Sequence, residues 1–222
     1  MVVMENLALH IPETMPNITL VEKKTYHHGS LRETVLEISK KLIEEKGIHD
    51  FSLREVARLA GVSRTAPYRH FPDKESVLLA IAEEAYAKVT DAMQIVVQRS
   101  GDKPVIAVQE LIVIYVKFMV ESKRHFEFLF GSFIRDKVYR QRLMMAREKM
   151  AATIDEMVRR TRMMKGDSAL QVKIMGAGTW ALMHGVASLI CEEQLSSEIY
   201  SEGKLEYFSR QCAQTFIKGL AN

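Results

Sequence analysis

Arg64, Thr65, Tyr68, Arg69, His70 and Lys74 fall within one short stretch and share a single chemical talent, the donation of hydrogen bonds from cationic or neutral polar tips. Such a set can donate to phosphate oxygens and base edges. Arg54, Arg58, Arg64, Arg69 and Lys74 face only Glu55 and Asp73 between residues 54 and 74, whereas the whole chain carries a net charge of just +3. The positive charge is therefore local, which suits a groove-reading element better than a protein that coats nucleic acid by bulk charge. Catalytic arrangements are missing from the pattern: there is no HExxH, GxSxG or glycine-rich phosphate loop. Cys191 lies seven residues after His184, about 10 Å along a helix and too far for a thiolate–imidazole pair. The two cysteines, Cys191 and Cys212, form no metal-binding spacing, which points to a reducing, cytoplasmic setting with no metal and no cofactor.

Two capped helices are needed to position these donors. Ser52 and Glu55 have the spacing of a capping box, with Phe51 and Val56 placed as a hydrophobic staple. Leu53, Val56, Ala57 and Ala60 recur at helical spacing, and Gly61 permits a tight turn. Ser63 is a good N-cap for a second helix over about residues 63–70, with Pro67 near its start. Phe71-Pro72 ends it, and Asp73 caps the next helix with Lys74 in the first turn, aimed at a phosphate beside the groove. The pair forms a helix-turn-helix whose second member fits the major groove.

Helical periodicity continues almost throughout, which predicts an all-α chain of about nine helices. Ser30 and Glu33 offer another capping box, followed by Leu31, Val35, Ile38 and Leu42 on one face and Gly47 as a stop. A long fourth helix is expected over residues 73–99. Further helices are expected over 105–120, 126–133, 136–161, 169–194 and 204–220. With 222 residues and 47% hydrophobic content, the chain can form a small head and a larger body. Residues 1–25 read as a loose extension without the basic start of a secretory signal, in which Met4 or Met15 could be alternative starts. Residues 174–191 contain no Asp, Glu, Lys or Arg, but their glycines and polar residues favour a core helix over a membrane span.

Eight of the thirteen methionines lie between Met144 and Met183. With Tyr115, Phe118, Met119, Phe126, Phe130, Met150, Ile154, Met157 and Trp180 they could form a soft lining for an apolar or amphipathic small molecule, oriented by Tyr115, Trp180 and His184. The competing reading is an ordinary core in which His184 bonds to a carbonyl or hydroxyl. Ala177, Ala181, Gly185 and Ser188 on one helix, and Leu205, Phe208, Cys212, Phe216 and Leu220 on the next, suit close helix packing. That seam could join two subunits or close within one.

The run 26–32 (Tyr-His-His-Gly-Ser-Leu-Arg), the string from Gly61-Val-Ser63 to Tyr68-Arg-His-Phe71 and the Lys74-Glu75 pair resemble the DNA-binding domain of the tetracycline-repressor (TetR) family. The resemblance covers about residues 26–89. Trp180-Ala-Leu-Met-His184-Gly185 is similar to a signature in the ligand-binding half of one subgroup. The resemblance implies a DNA-binding domain at 26–89 and an effector-binding and dimerisation domain at 90–222. It also implies Arg64, Thr65, Tyr68 and Arg69 at the groove, Ala66 against a thymine methyl, and Ser52, His70 and Lys74 on phosphates. The expected function is a transcriptional regulator, a repressor released from a palindromic DNA operator by a small-molecule effector, acting as a homodimer with no membrane partner. The alternatives are a helix-turn-helix module used only for protein contacts and a small helical enzyme.

Overall fold

The computed structural model describes residues 30–101, 103–123, 134–160, 166–196, 198 and 202–220, and every regular element among them is helical. Among the described residues seven α-helices run in order: α1 (Leu31–Lys46), α2 (Leu53–Leu59), α3 (Lys74–Arg99), α4 (Pro104–Glu121), α5 (Lys137–Arg160), α6 (Ala169–Cys191) and α7 (Leu205–Leu220). Single 3-10 turns occur at Pro67–Arg69 and Glu202–Lys204. The extension 1–25, the run 26–29, and Phe126 and Phe130 with the helix expected at 126–133 lie outside the described residues.

The head consists of α1, α2, the Pro67–Arg69 turn and the first turns of α3. Val35, Leu42, Ile43, Phe51, Val56, Phe71 and Val77 close its core. At the start of α2 the Ser52 hydroxyl accepts the Glu55 N–H at 3.3 Å. The expected box is only half made, because the Glu55 carboxylate turns to Lys46 at 2.6 Å, a full cation in place of a backbone N–H. Ser30 departs further: it occupies the N-cap of α1, but its side chain makes no capping bond. Its carbonyl instead receives the N–H groups of Glu33 and Thr34.

The body packs around α4, whose Leu111, Ile112, Tyr115, Val116, Phe118 and Met119 are all buried. Helices α3, α5, α6 and α7 surround it. Glu110 on α4 is buried and forms a two-pronged ion pair with Arg210 on α7, tying the last helix to the centre. α6 opens with a capping box, Ser168 and Gln171 exchanging bonds of 3.3 and 2.7 Å. It is long and apolar enough to span a membrane, yet it lies against α4 and α5, burying Val172, Gly176, Thr179, Met183, Ala187 and Ile190 along one face. It ends at Cys191 rather than near Gln194, because Glu193 takes a left-handed φ of 57° and the Gln194 N–H turns back to the Leu189 carbonyl.

Candidate nucleic-acid interface

α2 ends in a Schellman turn: the Gly61 N–H bonds the Arg58 carbonyl and the Val62 N–H bonds the Ala57 carbonyl. Gly61 sits at φ 67°, where a Cβ would crowd its own backbone. This reversal delivers the chain to the segment expected as an eight-residue recognition helix over 63–70. The structure instead shows a tighter coil. The N–H groups of Ala66, Tyr68, Arg69 and His70 each reach back three residues, to Ser63, Thr65, Ala66 and Pro67, and only Phe71 reaches back four. Pro67 explains part of the difference, since it has no N–H to give the Ser63 carbonyl and so removes the α-helical bond that would open the helix. Ser63 makes no cap of the expected kind; its hydroxyl meets that of Thr65 at 3.3 Å.

Pro67 and Phe71 are buried and clamp the coil to the head. The remaining side chains consequently point outward: Arg64, Thr65, Tyr68, Arg69 and His70 are exposed, and Ala66 is half-buried. Tyr68 leaves 44% of its surface in solvent, an unusual position for so large a ring. Ser52 is exposed as well, and its hydroxyl is occupied as the cap of α2. Asp73 and Ser76 then open α3 with reciprocal bonds of 2.7 and 3.3 Å, fixing where the coil ends and the rod begins. Lys74 is half-buried: its ammonium donates to the His49 carbonyl at 3.0 Å and lies 4.5 Å from the centre of the Phe51 ring. Burial pulls its pKa below the usual lysine value, against the opposing charge of Asp50.

In the body, Tyr115, Phe118, Met119, Met150, Ile154 and Met157 are brought together as a fully buried cluster. The Tyr115 hydroxyl lies 3.4 Å from Nδ1 of His184, and Trp180 is half-buried with its indole N–H enclosed near the Tyr115 phenol, with no close hydrogen bond among the described residues. Burial drives the Tyr115 phenol far upward and pulls His184 below its ordinary value, the latter reinforced by the charge of Arg147. Cys191 is pushed up to about 11 by burial, and its thiol points to the Met119 carbonyl, so it offers no nucleophile.

An open groove of about 950 Å³ runs between α3 and α5, and of the residues singled out from the sequence only Met145, one of the eight clustered methionines, lines it. Tyr86, Thr90, Val97, Met145, Ala146 and Thr153 contribute to its walls. Arg142 bridges the two helices there by a fork onto Glu83, and Arg147 donates to the Tyr86 hydroxyl at 3.1 Å. These partners are some sixty positions apart in sequence, so local spacing carried no signal of them. Among the described residues, no group of three or more His, Cys, Asp or Glu side chains is placed to hold a metal ion.

Residues 35–81 match the family model of bacterial regulatory proteins of the tetR family. Over 75 residues the chain is 32% identical to the HTH-type transcriptional regulator EthR of Mycobacterium tuberculosis, a segment that makes up 33% of this chain and 35% of EthR. The match thus spans about a third of that relative's length. The fold as a whole resembles a protein of unknown function from Rhodococcus sp. RHA1, with a TM-score of 0.75 at 24% identity over 90% of this chain and all of that one. It also resembles the regulator FadR of Bacillus subtilis, solved with stearoyl-CoA, with a TM-score of 0.66 at 13% identity over 84% of this chain and 98% of that one. The head, over residues 35–81, is thus a helix-turn-helix of the tetR family of bacterial regulatory proteins, and the helical body shares its fold with the solved structures.

Proposed function

We propose that the protein is a sequence-specific DNA-binding transcriptional regulator, a repressor that acts as a homodimer on a palindromic operator and is released by an apolar or amphipathic small molecule. The observation that carries the reading is the outward row of Arg64, Thr65, Tyr68, Arg69 and His70 on a coil clamped from behind by Pro67 and Phe71. A rigid element presenting cations, a phenol and hydroxyls on one side is what base-edge and phosphate contact requires. Arg64, Thr65, Tyr68 and Arg69 face the groove in this reading, with Ala66 against a thymine methyl and Ser52, His70 and Lys74 on phosphates. Residues 26–89 then form the DNA-binding domain and 90–222 the effector-binding and dimerisation domain, with 1–25 as an extension, in a cytoplasmic protein.

The unpaired face of α6 supports the dimer. Leu170 and Ile174 are 67% and 60% exposed, and Ala177 and Ala181 continue the same stripe. A second copy packing α6 and α7 against these residues would bury that surface about a two-fold axis. Two heads could then enter major grooves about 34 Å, or a multiple of it, apart. The effector is proposed to lodge among Tyr115, Phe118, Met119, Met150, Ile154, Met157, Trp180 and His184. The enclosed Trp180 N–H and the Tyr115–His184 contact would orient its polar end. The stearoyl-CoA bound to FadR favours an amphipathic molecule. Binding that fits one tilt of α3 better than another would shift the dimer away from the operator spacing.

Selection of bound sequences from a random duplex pool tests the reading. The expected product is a two-fold symmetric site whose retention falls steeply with salt. Retention that ignores salt, or a pool returned unenriched, overturns it, and the former outcome would assign the helix-turn-helix to protein contacts.

A further inference from the structure

Lys40 on α1 is 2% exposed, an unusual burial for a lysine, and its ammonium is held wholly by acids. It donates to both carboxylate oxygens of Glu84 on α3, at 2.9 and 2.8 Å, and to Glu37 at 2.9 Å. Lys88 adds a second cation to Glu84 at 3.3 Å. Burial alone would raise the Glu84 carboxyl, but the hydrogen bonds and charges of Lys40 and Lys88 outweigh it and hold it low. An ion pair whose ammonium is taken this far from water, with its acid still a third exposed, contributes little net stability, and the attested use of such pairs is to fix one arrangement against others.

Its place in the fold shows which arrangement is at stake. The head meets α3 near Lys74 through the His49 carbonyl and the Phe51 ring. Lys40 meets the same rod at Glu84, ten residues further on and about 15 Å along its axis. Two separated attachments set an angle, whereas one sets only a position. Over the about 15 Å between them, a tilt of about 10° displaces one attachment against the other by roughly 2.6 Å, enough to break the hydrogen bonds of the pair, so the pair resists it.

We infer that the Lys40–Glu84 pair is the positioning device that fixes the tilt of the DNA-reading head on α3, and thereby the half-site spacing the dimer accepts. The spacing part rests on the regulator reading proposed above; the tilt part does not. Spin labels at Arg58→Cys and Glu148→Cys, both exposed, in a Cys212→Ser background diluted with unlabelled protein, report the distance between head and body. Lys40→Met is expected to widen that distance distribution about twofold, and Glu84→Gln to widen it less. In pool selection Lys40→Met should keep the same half-site bases while accepting spacers one base pair longer or shorter. A folded Lys40→Met protein with an unchanged distribution overturns the inference. Should Lys40→Met not fold, Glu84→Gln, whose side chain is a third exposed, decides by the same measurement. If the unsubstituted protein selects no DNA, the regulator reading fails while the label distances still judge the tilt.

Discussion

The Lys74 ammonium is engaged within its own chain, bonded to the His49 carbonyl and lying against the Phe51 ring. A phosphate approaching the start of α3 must share this amine with His49 or draw it away. Lys74→Ala is therefore expected to weaken binding about uniformly across DNA sequences and to reduce the salt slope by about one unit. Arg64→Ala and Tyr68→Ala are expected instead to change which bases are preferred, by about 1–3 kcal/mol per altered contact. Titrations of selected and scrambled duplexes at several salt concentrations separate the two behaviours.

The serines at the starts of α1 and α2 look alike in sequence but do different work. Ser52→Ala removes the bond to the Glu55 N–H and should cost about 1 kcal/mol. Ser30→Ala removes no capping bond and should cost much less. Urea unfolding of both variants checks the contrast, and equal losses would contradict it.

Arg142 and Glu83 form their fork at the surface, with 53% and 30% of their side chains exposed. Solvent screens such a pair, so a double-mutant cycle on Arg142→Gln and Glu83→Gln should give a coupling of no more than about 1 kcal/mol. Added salt should reduce it further.

His184 gives stability a pH dependence with a definite sign. Burial, then the Arg147 charge, holds its folded pKa below the ordinary 6.5, so the unfolded chain takes up the proton first as pH falls. Its contribution is complete above about pH 6.5 and is lost as the pH drops through the lower folded value. His184→Gln should flatten the denaturation midpoint against pH over that range; an unchanged slope would assign it to other groups.

Ala181 on α6 is exposed in the single chain. Ala181→Glu should leave the helical circular dichroism intact and convert a dimer to monomers in sedimentation. A persistent dimer would place the subunit contact elsewhere.

Much of the fold was legible because its signals are local. The Gly61 turn, the Asp73 cap and the periodicities of α3, α4 and α6 each sit within a few residues of what they determine. The exposure of Arg64, Tyr68 and Arg69 accords with what the family resemblance implied, even though the segment coils more tightly than expected once Pro67 withholds its N–H. Illegible features were those decided across distance or by competition. Glu55 chose Lys46 over its own cap, Lys74 chose His49, and the Lys40–Glu84 and Arg142–Glu83 pairs join positions tens of residues apart. Nothing in a helical repeat records which of several acids a buried ammonium will find.

The one-sided burial of α6 has a consequence for the newly made chain. If a second copy covers the Leu170–Ile174 stripe as proposed, heat resistance should climb with protein concentration. Survival of the molecule is then a matter of how many copies share the same drop.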